Sequence, residues 1–175
     1  MSDLPGKVLF SEDTLSERIA ELGQSICSHY GDKPITVIGL MNGSLFFMAD
    51  LLRHLPVTTR LECWRVSSYL GQRSTGKIQG LDSHQGDYRG RNVLIIDDIL
   101  DTGLTLAEVK RTLQAGQASD IEICVLLRKL GTLIHPIEAK WIGFEIPDQF
   151  VIGYGLDLDH QYRTLPMIRL LDKDN

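Results

Sequence analysis

Val93-Leu94-Ile95-Ile96-Asp97-Asp98-Ile99-Leu100-Asp101-Thr102-Gly103-Leu104-Thr105-Leu106 is the stretch on which the reading of this chain turns. Its first four residues are apolar, rich in β-branched types and free of polar alternation, the pattern of a strand buried on both faces. Two carboxylates stand at the C-terminal end of that strand, and a third follows at Asp101. A Thr-Gly-x-Thr loop then opens onto the helical pattern Leu106 to Leu113. In an open parallel sheet, ligands bind outside the carboxyl ends of strands, where a loop leads into a helix N-terminus. The backbone amides of Thr102, Gly103, Leu104 and Thr105, with the two threonine hydroxyls, suit a phosphate. Asp97 and Asp98 would repel that phosphate, which assigns them to sugar hydroxyls or to a cation beside it. A phosphorylated ribose carries both features. The bland alternative is a buried strand ending in a solvated acidic loop.

The rest of the composition sets limits. The chain has 175 residues, most simply one domain with a substantial core. Its 43% hydrophobic and 23% charged content are ordinary for a soluble globular protein. A net charge of −5 gives no electrostatic footprint for nucleic acid or an anionic membrane. No apolar stretch approaches a membrane span, and the start Met1-Ser2-Asp3-Leu4-Pro5 lacks a signal peptide's basic and apolar regions, so the expected location is cytoplasmic. Cys27, Cys63 and Cys124 are scattered and odd in number, which points to buried or half-buried free thiols in a reducing compartment. No histidine pair has helical metal-binding spacing.

Outward from the central strand, the pattern alternates between strands and helices. Thr14 and Glu17 form a capping box for a helix running to about Tyr30, with the stripe Leu15, Ile19, Leu22 and Ile26 and a stop at Gly31-Asp32. Ile35 to Leu40 reads as a strand, Leu45 to Leu55 as a helix and Thr59 to Val66 as a strand. From Gly71 to Arg91, glycines punctuate a polar stretch that reads as a long functional loop. After the motif helix, which ends near Gly116, come a buried strand Ile121 to Leu127 and shorter ones at Trp141 to Phe144 and Phe150 to Leu156. The alternation predicts an α/β fold with a parallel sheet.

The central run resembles the phosphoribosyl-pyrophosphate motif of the type I phosphoribosyltransferases. A second segment, Trp141 through Pro147-Asp148-Gln149-Phe150-Val151-Ile152-Gly153-Tyr154 to Asp157, resembles the base-binding segment of the hypoxanthine-guanine phosphoribosyltransferases, and Tyr162 to Pro166 continues the likeness. The resemblance implies a parallel-sheet core with a small hood, built from N- and C-terminal segments, over a purine site. It makes Asp101 the general acid/base at the purine N7; a helix N-cap is the alternative role for that aspartate. Lys129 would donate to a 6-oxo group, Phe150 would stack on the purine and Val151 would meet the base edge through its backbone. A surface lysine and a core phenylalanine are the plain alternatives. Asp97 and Asp98 would hold the ribose directly or through Mg2+. Asp157, beside the purine, would hold a second Mg2+ through its water shell.

The same likeness places Asn42, Gly43 and Arg163 on pyrophosphate and puts a cis peptide just before Asn42. Relatives commonly carry Lys or Arg where Asn42 stands, which predicts weaker binding of phosphoribosyl pyrophosphate here. Ser68 and Tyr69, with the segment 67–91, resemble a mobile lid. The implied substrates are a 6-oxopurine and phosphoribosyl pyrophosphate, and the implied assembly is a homodimer or homotetramer. Leu45-Phe46-Phe47-Met48 and Trp64 fit either an interface or the core. The rival readings are a xanthine-guanine phosphoribosyltransferase and a nucleotide-sensing regulator on the same fold.

Overall fold

The computed structural model describes residues 4–70, 73–81 and 86–171, with the backbone alone at 67–70 and 73–79. In chain order the elements are β1 (Lys7–Phe10), α1 (Glu12–Tyr30), β2 (Ile35–Met41), α2 (Leu45–Leu52), β3 (Arg60–Arg65), β4 (Ser67–Leu70), β5 (Arg73–Gln79), β6 (Asn92–Leu100), α3 (Leu104–Ala115), β7 (Asp120–Lys129), β8 (Trp141–Ile146), β9 (Val151–Ile152) and β10 (Ile168–Leu170). Five strands form a wholly parallel sheet in the order β3-β2-β6-β7-β8. The chain turns one way from β2 to β3 and the other way from β6 to β7. That reversal opens a crevice at the carboxyl ends of β2 and β6.

The run Val93–Ile96 is apolar throughout because both of its faces are covered. Leu94 and Ile96 pack with α1 residues Leu15, Ile19, Leu22 and Ile26 and with Phe47 and Leu51 of α2. Val93 and Ile95 pack on the opposite face with Leu106, Val109 and Leu113 of α3. Successive strand side chains point to opposite faces, so a strand between two helical layers keeps no polar position. Each of these fully buried aliphatic side chains contributes about 1.5–3 kcal/mol.

The helix boundaries follow the local chemistry. Ser11, not Thr14, caps α1: its hydroxyl oxygen accepts from the Thr14 amide at 3.2 Å, and Glu12 and Asp13 sit in the first turn where the dipole favours them. Gly31 ends the helix at φ 56°, its amide donating to the Cys27 carbonyl at 2.8 Å. α2 stops at Leu52, short of the Leu55 expected.

The segment 67–91 contains an antiparallel ribbon of β4 and β5, a pairing that needs no apolar alternation. Ser68 and Tyr69 lie on its backbone; positions 71, 72 and 82–85 of the expected lid fall outside the described residues. Residues 88–91 pack on the body of the fold. Tyr88 is buried, its amide donates to the Gly116 carbonyl at 2.9 Å and its hydroxyl donates to Glu62 at 2.6 Å. Burial and then Glu62 hold that phenol above its usual range. The segment 150–156 is likewise less regular than expected, with a strand only at Val151–Ile152.

β9, β10 and β1 form a separate three-stranded antiparallel sheet that joins the two ends of the chain. Phe47, Met48 and Trp64 are core residues, which removes them from any interface between copies; Leu45 is exposed. Cys63 is exposed rather than half-buried, while Cys27 is half-buried and Cys124 fully buried, its thiol pushed up by burial. Among the described residues, no helix is long and apolar enough to cross a membrane.

Candidate active site

Three loops converge at the crevice between β2 and β6. The first follows β2, where the Met41–Asn42 peptide is cis, in agreement with the resemblance, and runs through Gly43 into α2. The second is the end of β6 with its three aspartates. The third is the turn at Gly155 to Arg163. Gly43 lies so close to the Asp98 carboxylate that a Cβ there would stand 1.8 Å from Oδ2, and the Gly43 carbonyl packs equally tightly on Gly155. The resulting cleft, of about 380 Å³, is lined by Asn42, Gly43, Asp97 to Leu106, Arg65, His160 and Arg163, among others.

Gly103 begins α3 at φ +82°, a left-handed conformation that favours glycine, and supplies no side-chain cap. The first amides of the helix therefore remain available at the cleft, beside the hydroxyl-bearing Thr102 and Thr105. With Gly103 at the N-cap, Asp101 is not the capping residue. The segment after β7 holds this loop from behind: Ile134 and His135 amides donate to the Thr102 carbonyl at 3.0 and 2.9 Å, and the Thr132 hydroxyl donates to the Asp101 carbonyl at 3.2 Å.

Asp97 is buried, and its carboxyl is held well above the usual range, first by burial and then by the adjacent Asp98. Burial also raises Asp98, against the pull of its hydrogen bonds and of Arg163. Neither carboxylate has an ion pair among the described residues. Asp157 differs: Oδ1 pairs with Arg163 at 2.7 Å, and Oδ2 accepts the His160 amide at 2.9 Å. Arg163 also donates to the Gly155 carbonyl at 2.6 Å.

At the end of β7, Lys129 is largely buried rather than a solvated surface lysine, with its Nζ 3.5 Å from Asp101 and 3.0 Å from Asp148. Burial would lower its pKa, but the two carboxylates outweigh burial and raise it. Phe150, 48% exposed, is not a core residue. Val151 behind it is buried and registered on Leu170.

Residues 11–159 match the family model described as the phosphoribosyl transferase domain. The chain belongs to that family. It is 41% identical over 165 residues to a hypoxanthine-guanine phosphoribosyltransferase of Staphylococcus epidermidis, covering 94% of this chain and 92% of that one. It is 39% identical to a hypoxanthine phosphoribosyltransferase of Haemophilus influenzae, covering 92% of each. A crystal structure of a hypoxanthine phosphoribosyltransferase from Staphylococcus aureus superposes with a TM-score of 0.89 at 38% identity, over 96% of this chain and 92% of that one. The fold is that of the type I phosphoribosyltransferases.

Within this phosphoribosyltransferase fold the cleft gathers Asn42, Gly43, Asp97, Asp98, Asp101 to Thr105 and Arg163 from the expected set. Lys129 adjoins it through Asp101. Phe150 and Val151 follow Asp148, the other partner of Lys129. Sequence reasoning missed Arg65, His160 and Asp148. Arg65 was findable as the last residue of a parallel strand, at the carboxyl edge where ligands gather. His160 and Asp148 sit in turns whose direction no periodicity encodes.

Proposed function

We propose that this protein is a Mg2+-dependent purine-salvage enzyme. It joins hypoxanthine, and also guanine, to the anomeric carbon of phosphoribosyl pyrophosphate, releasing pyrophosphate. The observation that carries this reading is the Asp101–Lys129 pair beside the α3 amide cradle. Lys129 donates to the 6-oxo oxygen of the base, an acceptor that adenine lacks. Its move toward the base leaves Asp101 to manage the proton at N7 as the purine attacks. Phe150 supplies a stacking face, a contact worth about 1–3 kcal/mol for a base on an aromatic ring, and Val151 offers backbone groups to the base edge.

Thr102, Gly103, Leu104 and Thr105 hold the 5′-phosphate, and Asp97 and Asp98 hold the ribose. These two adjacent carboxylates, free of lysine or arginine ion pairs among the described residues, form a hard oxygen donor set that fits magnesium. When bound, magnesium neutralises charge on the departing pyrophosphate. Asp157 would hold a second such ion through its water shell, and Arg163, Asn42 and Gly43 bind pyrophosphate. The β4–β5 ribbon, carrying Ser68 and Tyr69, closes over the reacting carbon and keeps water from the sugar cation. The hood is the β1-β10-β9 sheet, the 175 residues act as one domain, and the enzyme assembles as a homodimer or homotetramer in the cytoplasm.

Initial rates with phosphoribosyl pyrophosphate and magnesium against hypoxanthine, guanine, xanthine, adenine and uracil test the reading. Hypoxanthine turnover with little for adenine or uracil is the expected result. A folded, metal-supplied protein that turns over no base overturns it.

A further inference from the structure

The turn that follows β9 is fastened to α2 by one side chain. Gly153, Tyr154 and Gly155 have φ values of +95°, +51° and +102°, three left-handed residues in succession. Glycine enters that region freely, but a tyrosine there is an outlier that persists only where its surroundings hold it. Tyr154 is buried, its amide donates to the Leu165 carbonyl at 2.8 Å, and its ring lies 6.2 Å from that of Phe46. Its hydroxyl donates to Asp50 Oδ2 at 2.5 Å, across 104 residues of chain. Burial, and then Asp50, push this phenol up, so it remains the donor.

Both ends of this bond connect to the part of the cleft assigned above to pyrophosphate. Phe46 and Asp50 stand one helical turn apart on α2, so both face the turn. The start of α2 is tied to the loop before it: the Leu45 amide donates to the Asn42 carbonyl at 3.2 Å, and the buried Ser44 hydroxyl donates to the Leu40 carbonyl at 2.6 Å. On the other side, the Gly155 amide donates to the Arg163 carbonyl at 2.9 Å, and the Arg163 guanidinium returns a bond to the Gly155 carbonyl at 2.6 Å. A Cβ on Gly155 would lie 1.9 Å from the Gly43 carbonyl oxygen, so the turn rests on the loop itself. Behind the bond the packing is open, with a cavity of about 470 Å³ lined by Phe46, Asp50, Tyr154 and Leu165, among others. Arg53 stands 3.9 Å from the other Asp50 oxygen and is largely exposed, a pair of little strength. The hydrogen bond, more than close packing, therefore sets the distance between α2 and the turn.

We propose that Tyr154 and Asp50 are positioning residues for pyrophosphate: their hydrogen bond keeps the Asn42–Gly43 loop and Arg163 at the spacing that the ligand bridges. Neither side chain lines the cleft, so both act through Gly43 and Gly155. The inference rests on the pyrophosphate subsite of the proposed function. Losing the bond frees the turn to move away from α2, and the two groups that grip pyrophosphate no longer converge. The purine contacts are anchored elsewhere. Val151 is registered on Leu170 in the small sheet, and the Phe150 carbonyl accepts from the Leu171 amide at 2.9 Å. Purine binding should therefore change little.

The test is calorimetric titration with magnesium pyrophosphate, beside a melting curve and KM values for phosphoribosyl pyrophosphate and hypoxanthine. In Tyr154→Phe and in Asp50→Ala we expect pyrophosphate to bind about fivefold more weakly or worse, with the KM for phosphoribosyl pyrophosphate rising in step. The KM for hypoxanthine, at saturating phosphoribosyl pyrophosphate, should stay within about twofold of wild type. Asp50→Asn keeps an acceptor oxygen and should recover most of the affinity. The double variant Tyr154→Phe/Asp50→Ala should bind no more weakly than either single one, because each loses the same bond. A merely structural bond would lower the melting temperature and leave pyrophosphate binding by the folded protein unchanged. Pyrophosphate held as tightly by both single variants as by wild type, or a hypoxanthine KM that rises as much as the other, overturns the proposal. A wild type that binds no pyrophosphate overturns it together with the subsite. Because binding is read without turnover, a wild type that binds pyrophosphate but converts no base refutes only the enzymatic reading, and the variants still decide this one.

Discussion

Replacing Gly43 with alanine would put a methyl carbon 1.8 Å from Asp98 Oδ2 and 2.4 Å from its Cγ. Relaxed contact lies near 3.5 Å, so the carboxylate must retreat by about 1.5 Å or more. The obstruction is the end of a short side chain rather than backbone, and Asp98 escapes by leaving its rotamer at a cost of about 0.5–1.5 kcal/mol. For a chain of this size that is a fall of no more than about 6 °C in melting temperature. Catalysis should suffer far more, because a 1 Å misplacement of a positioning group costs about 100-fold. The assay is kcat/KM for phosphoribosyl pyrophosphate with hypoxanthine, beside a melting curve. The double variant Gly43→Ala/Asp98→Ala removes the overlap, and should recover the melting temperature without recovering the rate. A Gly43→Ala enzyme that keeps more than about half of its kcat/KM, with an unchanged melting curve, refutes the argument.

Other expectations follow from the same geometry. Asp101→Asn should lower turnover by about 10²–10⁴-fold with melting unchanged, and an unaltered rate would leave Asp101 without a chemical role. Asp97 has a raised pKa in the folded state, so the native protein binds more protons than the unfolded chain between the two values, and its contribution to stability falls as pH rises through that window. Asp97→Asn, melted in chelator, should therefore be more stable than wild type at pH 8, with the gain shrinking toward pH 4; a destabilised variant at pH 8 would contradict the burial argument. Asn42→Lys should lower the KM for phosphoribosyl pyrophosphate by about two- to fivefold, and no decrease would mean that the backbone alone makes that contact.

The sequence by itself determined the layered core and the phosphate end of the site. Val93–Ile96 lacks polar alternation because helices cover both faces, and the stripe at Leu15, Ile19, Leu22 and Ile26 repeats with the helical turn; both periods are local and survive in one dimension. The Asp97–Thr105 loop was legible for the same reason, since strand end, glycine and helix start are contiguous. The purine end was legible only through family likeness. That Lys129 stands 3.5 Å from Asp101, that Gly43 presses on Asp98, and that Arg65 and His160 enter the cleft depend on the strand order β3-β2-β6-β7-β8. The same holds for His29 meeting Glu122 at the amino end of β7. Strand order is set by how the whole sheet buries its faces, so contacts between separate strand ends exist only once the tertiary structure has formed.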